Sequence, residues 1–259
     1  MLRKLIELSG PIRYWFDRLT YDVSDQDLHL LKNKYQGYPM LVVGNGPSLN
    51  VTPLEEFVTI PSIGMNKIEL LFDRSIWRPS MIVCVNNLVV KQNWKNWLKR
   101  DIPVHLSWKA RHFIPSKQRE KFSFFLSKRD ILFSRNITKF LGSAVTVTFT
   151  ALQYAYYMGA DPVILVGVDH SFSVTNGRKP NDIEKRKGED INHFDPNYFA
   201  AGSYWGVPDL DASEAGFRLA KEAFEMDGRK VYDATIGGKL DVFEKLDISD
   251  AINISKEIQ

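Results

Sequence analysis

Short apolar runs rich in β-branched residues recur at 40–43, 62–65, 81–85, 104–106, 163–168 and 230–232, with helical or irregular stretches between several of them. No other feature limits the fold as strongly, because strand-like runs that alternate with helices pair into a mostly parallel sheet with helices on its faces. The expectation is therefore an α/β chain built on a mostly parallel, Rossmann-like sheet flanked by helices.

The helices between the runs carry start and stop signals. A helix is predicted over 144–158, where Gly159 supplies the stop and Pro162 bars continuation into the next strand. Another is predicted over 214–226, with Ser213 as its cap and Asp227-Gly228 as its end. Thr52, Pro53 and Glu55 form a capping-box pattern for a helix after the first strand. Trp94, Trp97 and Leu98 are spaced to pack along one helical face. Ser24 or Asp25 is placed to cap a helix through Lys34, which makes residues 1–36 a helical preface to a nucleotide-binding α/β domain over 37–259. Between Ser173 and Asp190 the chain is polar, with Gly177, Pro180 and Gly188 and with five basic side chains from Arg178 to Lys187. It reads as an extended loop, mobile over about 173–192 and close to the active site.

Composition narrows the function classes. In 259 residues, 34 basic side chains stand against 31 acidic ones, and a net charge of +3 is too small to imply a nucleic-acid surface. The single cysteine, Cys84, lies in an apolar run, which excludes an internal disulfide and suits a buried thiol in a reducing compartment. No stretch approaches the roughly 18 apolar residues that cross a bilayer, and no signal-peptide core stands near Met1. The expected location is the cytoplasm. Residues 1–16 mix Arg3, Lys4 and Arg13 with Leu2, Leu5, Ile6, Trp15 and Phe16, so this stretch either rests on the inner face of the plasma membrane or packs on its own domain. Oligomer formation stays open, since surface pairing leaves no signature in the sequence.

In open parallel sheets, ligands collect outside the carboxyl ends of the strands, which singles out two turns. After the first run comes Gly44-Asn45-Gly46-Pro47-Ser48-Leu49. Its glycines permit close backbone approach, and the exposed amides with Asn45 and Ser48 suit a phosphate or a ribose oxygen. The turn lacks the third glycine of the dinucleotide pattern and the Gly-Lys-Ser/Thr ending of the P-loop, and a plain strand-to-loop turn accounts for it equally well. After the fifth run comes Gly167-Val168-Asp169-His170-Ser171-Phe172. Here His170 is a candidate base and Asp169 its orienting group or a hydroxyl ligand, the plain alternative being a local cap beside a satisfied polar residue. A third cluster runs from Asn192-His193-Phe194 through Tyr198-Phe199 to Tyr204-Trp205, suited to stacking on a sugar or base or to a small aromatic core. Asp209-Leu210-Asp211 matches the Asp-x-Asp of metal-dependent sugar transfer, but a helix cap explains both acids, and no metal is expected.

These motifs in this order resemble the MptE-like family, also known as domain of unknown function 115. The resemblance spans about residues 30–247. It rests on the Gly44–Leu49 turn, Asn66, Trp77-Arg78-Pro79, Gly142-Ser143, the 167–172 turn, Asn192-His193-Phe194 with Tyr198, and Ala234-Thr235-Ile236-Gly237-Gly238-Lys239-Leu240. The family is in turn similar to Campylobacter-type sialyltransferases, which share the Gly-Asn-Gly-Pro-Ser-Leu turn and use CMP-linked sugars without a metal. The resemblance implies that Gly44, Asn45, Gly46, Pro47 and Ser48 hold the nucleotide and its phosphate. It further implies that Asn66 and Asn86 lie by the donor, that Ser143 faces the CMP, and that Asp169 marks the adjacent crevice. Where those enzymes carry a tyrosine two residues after the strand-end aspartate, this chain has Ser171. Their base histidine aligns near Asp209, with His193 displaced upstream.

The function so implied is an inverting, metal-independent glycosyltransferase that moves a sugar from a CMP-linked donor to a hydroxyl of a glycan or glycoprotein. His193 or His170 would serve as base, Tyr198 would donate to the departing phosphate, and no cofactor would be needed beyond the nucleotide-sugar itself. Another branch of the family resembles 6-hydroxymethylpterin diphosphokinase, which would bring ATP and magnesium to the same turn. A nucleotide-sugar-binding protein of a glycan-assembly system, without turnover, would use that turn as well.

Overall fold

In the computed structural model, residues 19–21, 27–128, 130–144, 146–173, 179–180 and 182–257 are described. The first run forms Met40–Val43 (β1), buried at every position. The chain then lays down Ser62–Met65 (β2), Met81–Cys84 (β3), Val104–Ser107 (β4) and Ser123–Phe125 (β5), each parallel to the one before. It returns across the sheet to place Val163–Val166 (β6) on the free side of β1, with Leu41 opposite Ile164 and Val43 opposite Val166. Two further strands of this sheet extend that side, Val231–Asp233 (β9) and Glu244–Lys245 (β10). The strand order is therefore β10-β9-β6-β1-β2-β3-β4-β5, parallel throughout. Winding reverses between β1 and β6, and at such a switch point the loops leaving adjacent strands diverge and open a crevice.

Both sheet faces are covered, which is why alternate residues of one strand serve two different cores. Met40, Val42, Met65, Val83 and Leu165 pack under Val147–Tyr157 (α2) and Leu210–Met226 (α3). Leu41, Val43, Ile82, Leu106 and Val166 face the opposite core with Asn87–Trp97 (α1), and Ile248–Lys256 (α4) closes the chain on that side. Trp97 is buried there, as its helical spacing predicts, and its indole donates to Glu69 at 3.1 Å. Helix α2 is buried along nearly its whole length, so the buried side-chain amide of Gln153 must be fully bonded. It accepts from the Ser134 and Gly142 amides and donates to the Gly142 and Phe149 carbonyls at 2.9–3.1 Å. Gly216 of α3 lets the helices approach closely: a Cβ there would overlap that of Ala144.

Several predicted boundaries move. The helix predicted over 144–158 begins at Val147, because Thr146 caps it by accepting the Thr148 amide at 3.3 Å. The helix predicted from Glu214 begins at Leu210. Asp209, not Ser213, is its cap, accepting the Ala212 amide at 3.1 Å, while Ser213 donates to the Asp209 carbonyl inside the first turn. The pattern at 52–55 yields only the 3-10 turn Leu54–Phe57. Of the helix predicted through Lys34, the described part forms the 3-10 turn Asp27–Leu31 followed by a plain turn over 32–34; Ser24, Asp25 and the stretch 1–16 lie outside the described residues. The polar stretch after Ser173 is more than a loop, since Ile183–Lys185 (β7) pairs antiparallel with Tyr204–Gly206 (β8) into a ribbon. Strands β5, β7, β8 and β10 were not predicted, each being two or three residues long and too short to show a period. Cys84 is buried and free. Among the described residues, no helix is long and apolar enough to cross a membrane.

Candidate functional site

The turns after β1 and β6 are sewn together by main-chain bonds. The Gly44 amide donates to Val166 O at 2.8 Å and the Gly46 amide to Gly167 O at 2.9 Å. This proximity dictates glycine at both positions: a Cβ on Gly44 would overlap the Gly167 carbonyl, and one on Gly46 would overlap the Asp169 carboxylate. Asp169 completes the seam. Its Oδ1 accepts from the Ser48 amide at 3.0 Å and its Oδ2 from the Ser48 hydroxyl at 2.7 Å. The 234–240 segment braces the same turn, with Thr235 Oγ1 accepting the Val168 amide and the Lys239 amide donating to Asp169 O.

Above this seam lies a cavity of about 330 Å³. Its floor is the backbone of Gly44, Asn45, Gly46 and Gly167, and its polar wall carries Asn66, Asn86, Thr146 and Thr148. Aromatic rings line the cavity too, Phe172, Phe199 and Trp205 on one side and Phe217 of α3 on the other. Three helices begin at the cavity, since the caps Asn86 of α1, Thr146 of α2 and Asp209 of α3 all line it. Helix starts present amides and a partial positive charge, the arrangement that suits an anion. Asn45 Oδ1 and Asn66 Oδ1 are buried acceptors with no hydrogen-bond partner among the described residues, and a ligand N–H or O–H would satisfy them. Asn66 is held in the left-handed region at φ 52°.

On the aromatic side, His193 lies flat on Tyr198, ring centroids 4.0 Å apart and planes within 2°. Its Nδ1 is 2.8 Å from Asp190 Oδ2. Asp190 is buried, and burial pushes its carboxyl up; hydrogen bonding and charge from His193, the Asn192 amide and the Arg186 guanidinium together hold it below the usual carboxylate range. Tyr198 is wholly buried, which drives its phenol well above the ordinary value; its oxygen accepts from the Lys67 amide at 3.3 Å. Lys67 is buried too, donating Nζ to Tyr198 O at 2.7 Å, and the loss of solvent lowers its ammonium below the usual range, against the raising effect of Glu69 and Asp190. A second imidazole–carboxylate pair faces the cavity: His170 Nε2 is 3.1 Å from Glu214 Oε1, on a left-handed backbone at φ 52°.

Of the residues singled out in the sequence, Gly44, Asn45, Gly46, Asn66, Asn86, Asp169, His170, His193 and Tyr198 line this one cavity. Pro47, Ser48 and Ser143 do not. Pro47 opens the 3-10 turn Pro47–Asn50, Ser48 is turned onto Asp169, and the Ser143 amide donates to Asp130 O at 3.2 Å. Thr146 and Thr148 occupy the wall expected of Ser143. Asp190, Arg186 and Lys67 escaped sequence reading. A carboxylate three residues before a histidine was the available signal for Asp190, but without a helical pattern that spacing does not imply contact.

Residues 16–175 match the family described as 6-hydroxymethylpterin diphosphokinase MptE-like. No curated protein matches the chain. Among solved structures it is similar to the sialyltransferase CstII from Campylobacter jejuni in complex with a substrate analogue, CMP-3FNeuAc. That likeness has 10% sequence identity and a TM-score of 0.44, over 81% of this chain and 86% of that one.

Proposed function

The chain belongs to the MptE-like family, and from the geometry of its cleft we propose that it transfers a sugar from a CMP-linked donor to a hydroxyl of a glycan or glycoprotein acceptor. The observation that carries this reading is the make-up of the cavity wall. Helix starts and asparagines line it, and no lysine or arginine does among the described residues. Such a wall matches the single phosphodiester charge of a CMP-sugar. A triphosphate carries several more charges and ordinarily recruits cationic side chains and magnesium. The two carboxylates that line the cavity are engaged by the protein itself, Asp169 by Ser48 and Asp209 as the cap of α3.

In the proposed reaction the acceptor oxygen attacks the anomeric carbon from the face opposite the phosphate. His193 takes the hydroxyl proton as the new C–O bond forms, and the bond from carbon to phosphate oxygen breaks with its electron pair leaving on CMP. The amides at the start of α2 receive that charge. His193 is the better base of the two imidazoles because its carboxylate partner is 1% exposed and its ring is stacked, whereas Glu214, the partner of His170, is 37% exposed and shared with Arg218.

The family description favours a second reading, pyrophosphoryl transfer from ATP to a pterin alcohol. Calorimetric titration and thermal-shift measurements with CMP, and with ATP plus magnesium, separate the two. A ligand at a hundred times its Kd stabilises by roughly 2.7 kcal/mol, or about 5–10 °C in Tm for a chain of this size. Stabilisation by CMP without metal supports sugar transfer. Stabilisation only by ATP with magnesium overturns it. His193→Ala should still bind CMP and transfer nothing.

A further inference from the structure

The four acceptor positions of the Asp190 carboxylate are all taken. Oδ1 accepts from the Asn192 amide at 2.9 Å and from Arg186 Nη2 at 3.2 Å, and Oδ2 accepts from His193 Nδ1 at 2.8 Å and from the Phe199 amide at 3.2 Å. An ionised carboxylate has no proton to give, so the nitrogen facing it must be the donor. The proton of a neutral His193 ring then sits on Nδ1, and Nε2 keeps its lone pair. Nε2 has no protein partner among the described residues, and His193 lines the cavity. The plane of the ring is fixed as well, and within it the bond to Asp190 selects the orientation. Tyr198 stacks on one face at 4.0 Å, and Phe199 meets it edge-on at 5.4 Å.

The carboxylate is itself held by the ribbon. Arg186 follows β7 directly, its amide donates to Ser203 O at 2.9 Å just before β8, and its guanidinium lies 4.9 Å from the Trp205 ring centroid. We propose that Asp190 is a positioning residue that fixes His193 as the Nδ1–H tautomer with Nε2 open to the cavity, and that Arg186 locks Asp190 to the β7–β8 ribbon. This deepens the transfer mechanism proposed above, and its kinetic consequence rests on that reading; the tautomer itself does not. The segment beside the cavity thereby becomes part of the proton-accepting machinery, because the Arg186–Asp190–His193 chain runs from ribbon to cleft.

Asp190→Asn is the discriminating variant. The amide oxygen still accepts from the Asn192 amide and Arg186, while the amide NH₂ in the place of Oδ2 costs the Phe199 amide its acceptor and faces Nδ1, turning that nitrogen into the acceptor. The proton moves to Nε2, where the ring can no longer take one from an acceptor hydroxyl. Nitrogen-15 NMR of the imidazoles in mildly alkaline solution, with His193 assigned by its loss in His193→Gln, reads this directly without any turnover. The expected result is Nδ1–H in the wild type and Nε2–H in Asp190→Asn. An Nε2–H signal in the wild type, or no change in the variant, overturns the proposal. The wild-type spectrum decides by itself should the variant fail to fold. In a transfer assay, Asp190→Asn should lower kcat by on the order of 10³-fold or more with donor KM nearly unchanged. A loss confined to KM would overturn the positioning role. If the wild type shows no CMP-dependent transfer, the reaction proposed above fails, and the tautomer measurement still decides whether Asp190 orients His193.

Discussion

Gly46→Ala tests the seam beneath the cleft. The backbone at Gly46 is extended, at φ −73° and ψ 163°, so alanine brings no conformational strain, and any cost must come from the new methyl. That methyl would overlap the Asp169 carboxylate and stand 3.0 Å from Asp169 Cβ, with no room for the side chain to keep its position. Asp169 must swing away and lose both bonds from Ser48. Charge-assisted bonds of this kind contribute about 1.5–3 kcal/mol each. Because the Asp169 carboxylate regains water at the cavity while the Ser48 groups stay buried, the net loss should be about 2–4 kcal/mol, against a total stability on the order of 5–15 kcal/mol. For a chain of this size that is a fall in Tm of roughly 5–15 °C. The assay is urea unfolding and calorimetry of Gly46→Ala, Asp169→Ala and the double variant. In the Asp169→Ala background the methyl meets an emptied space, so Gly46→Ala should add less than about 1 kcal/mol, and the two costs should be strongly non-additive. Equal costs of Gly46→Ala in both backgrounds would refute the steric account.

Other positions give independent tests. Gln153→Leu strands the Ser134 and Gly142 amides and the Gly142 carbonyl, and should cost about 2–4 kcal/mol in urea unfolding, with faster amide exchange at Ser134 and Gly142; a cost under about 1 kcal/mol would contradict the bonding described. Gly167→Ala places a methyl 2.5 Å from Leu49 Cδ2 on a backbone at φ 69°, and should destabilise by about 2 kcal/mol or more in the same assay. Burial pushes the His105 imidazole down to about 4. Folding therefore favours the neutral ring: its contribution is complete above the ordinary value of about 6.5 and is lost as pH falls from there through about 4, a change of about 3 kcal/mol. His105→Gln should flatten the Tm-against-pH curve across that interval, and an unchanged acid slope would show that another group controls it.

How much was legible depended on how local the cause was. The strands β1 and β2 were read to the residue, because a continuous apolar run between turn signals describes a strand buried on both faces. Helix ends were read less well where two capping residues competed, as Asp209 and Ser213 did, since either side chain fits the pattern and only the path of the preceding chain decides. The two glycine-bearing turns were recognised as candidate sites, yet the role of Asp169 was not. Its partner Ser48 is 121 residues away, and the contact exists only because β1 and β6 are neighbours.

What the sequence determined by itself was the class of fold, the places where strands end in glycine-bearing turns, and the residue types available there. Those are set by hydrophobic period and turn chemistry, which act over a few residues. Strand order, the convergence of three helix starts on one cavity, and the pairing of His193 with a buried carboxylate were decided only by the tertiary structure. Each depends on burial and on partners brought together from distant segments. A carboxylate acquires its meaning from what surrounds it, and for Asp190 and Asp169 those surroundings are assembled by the sheet and the ribbon.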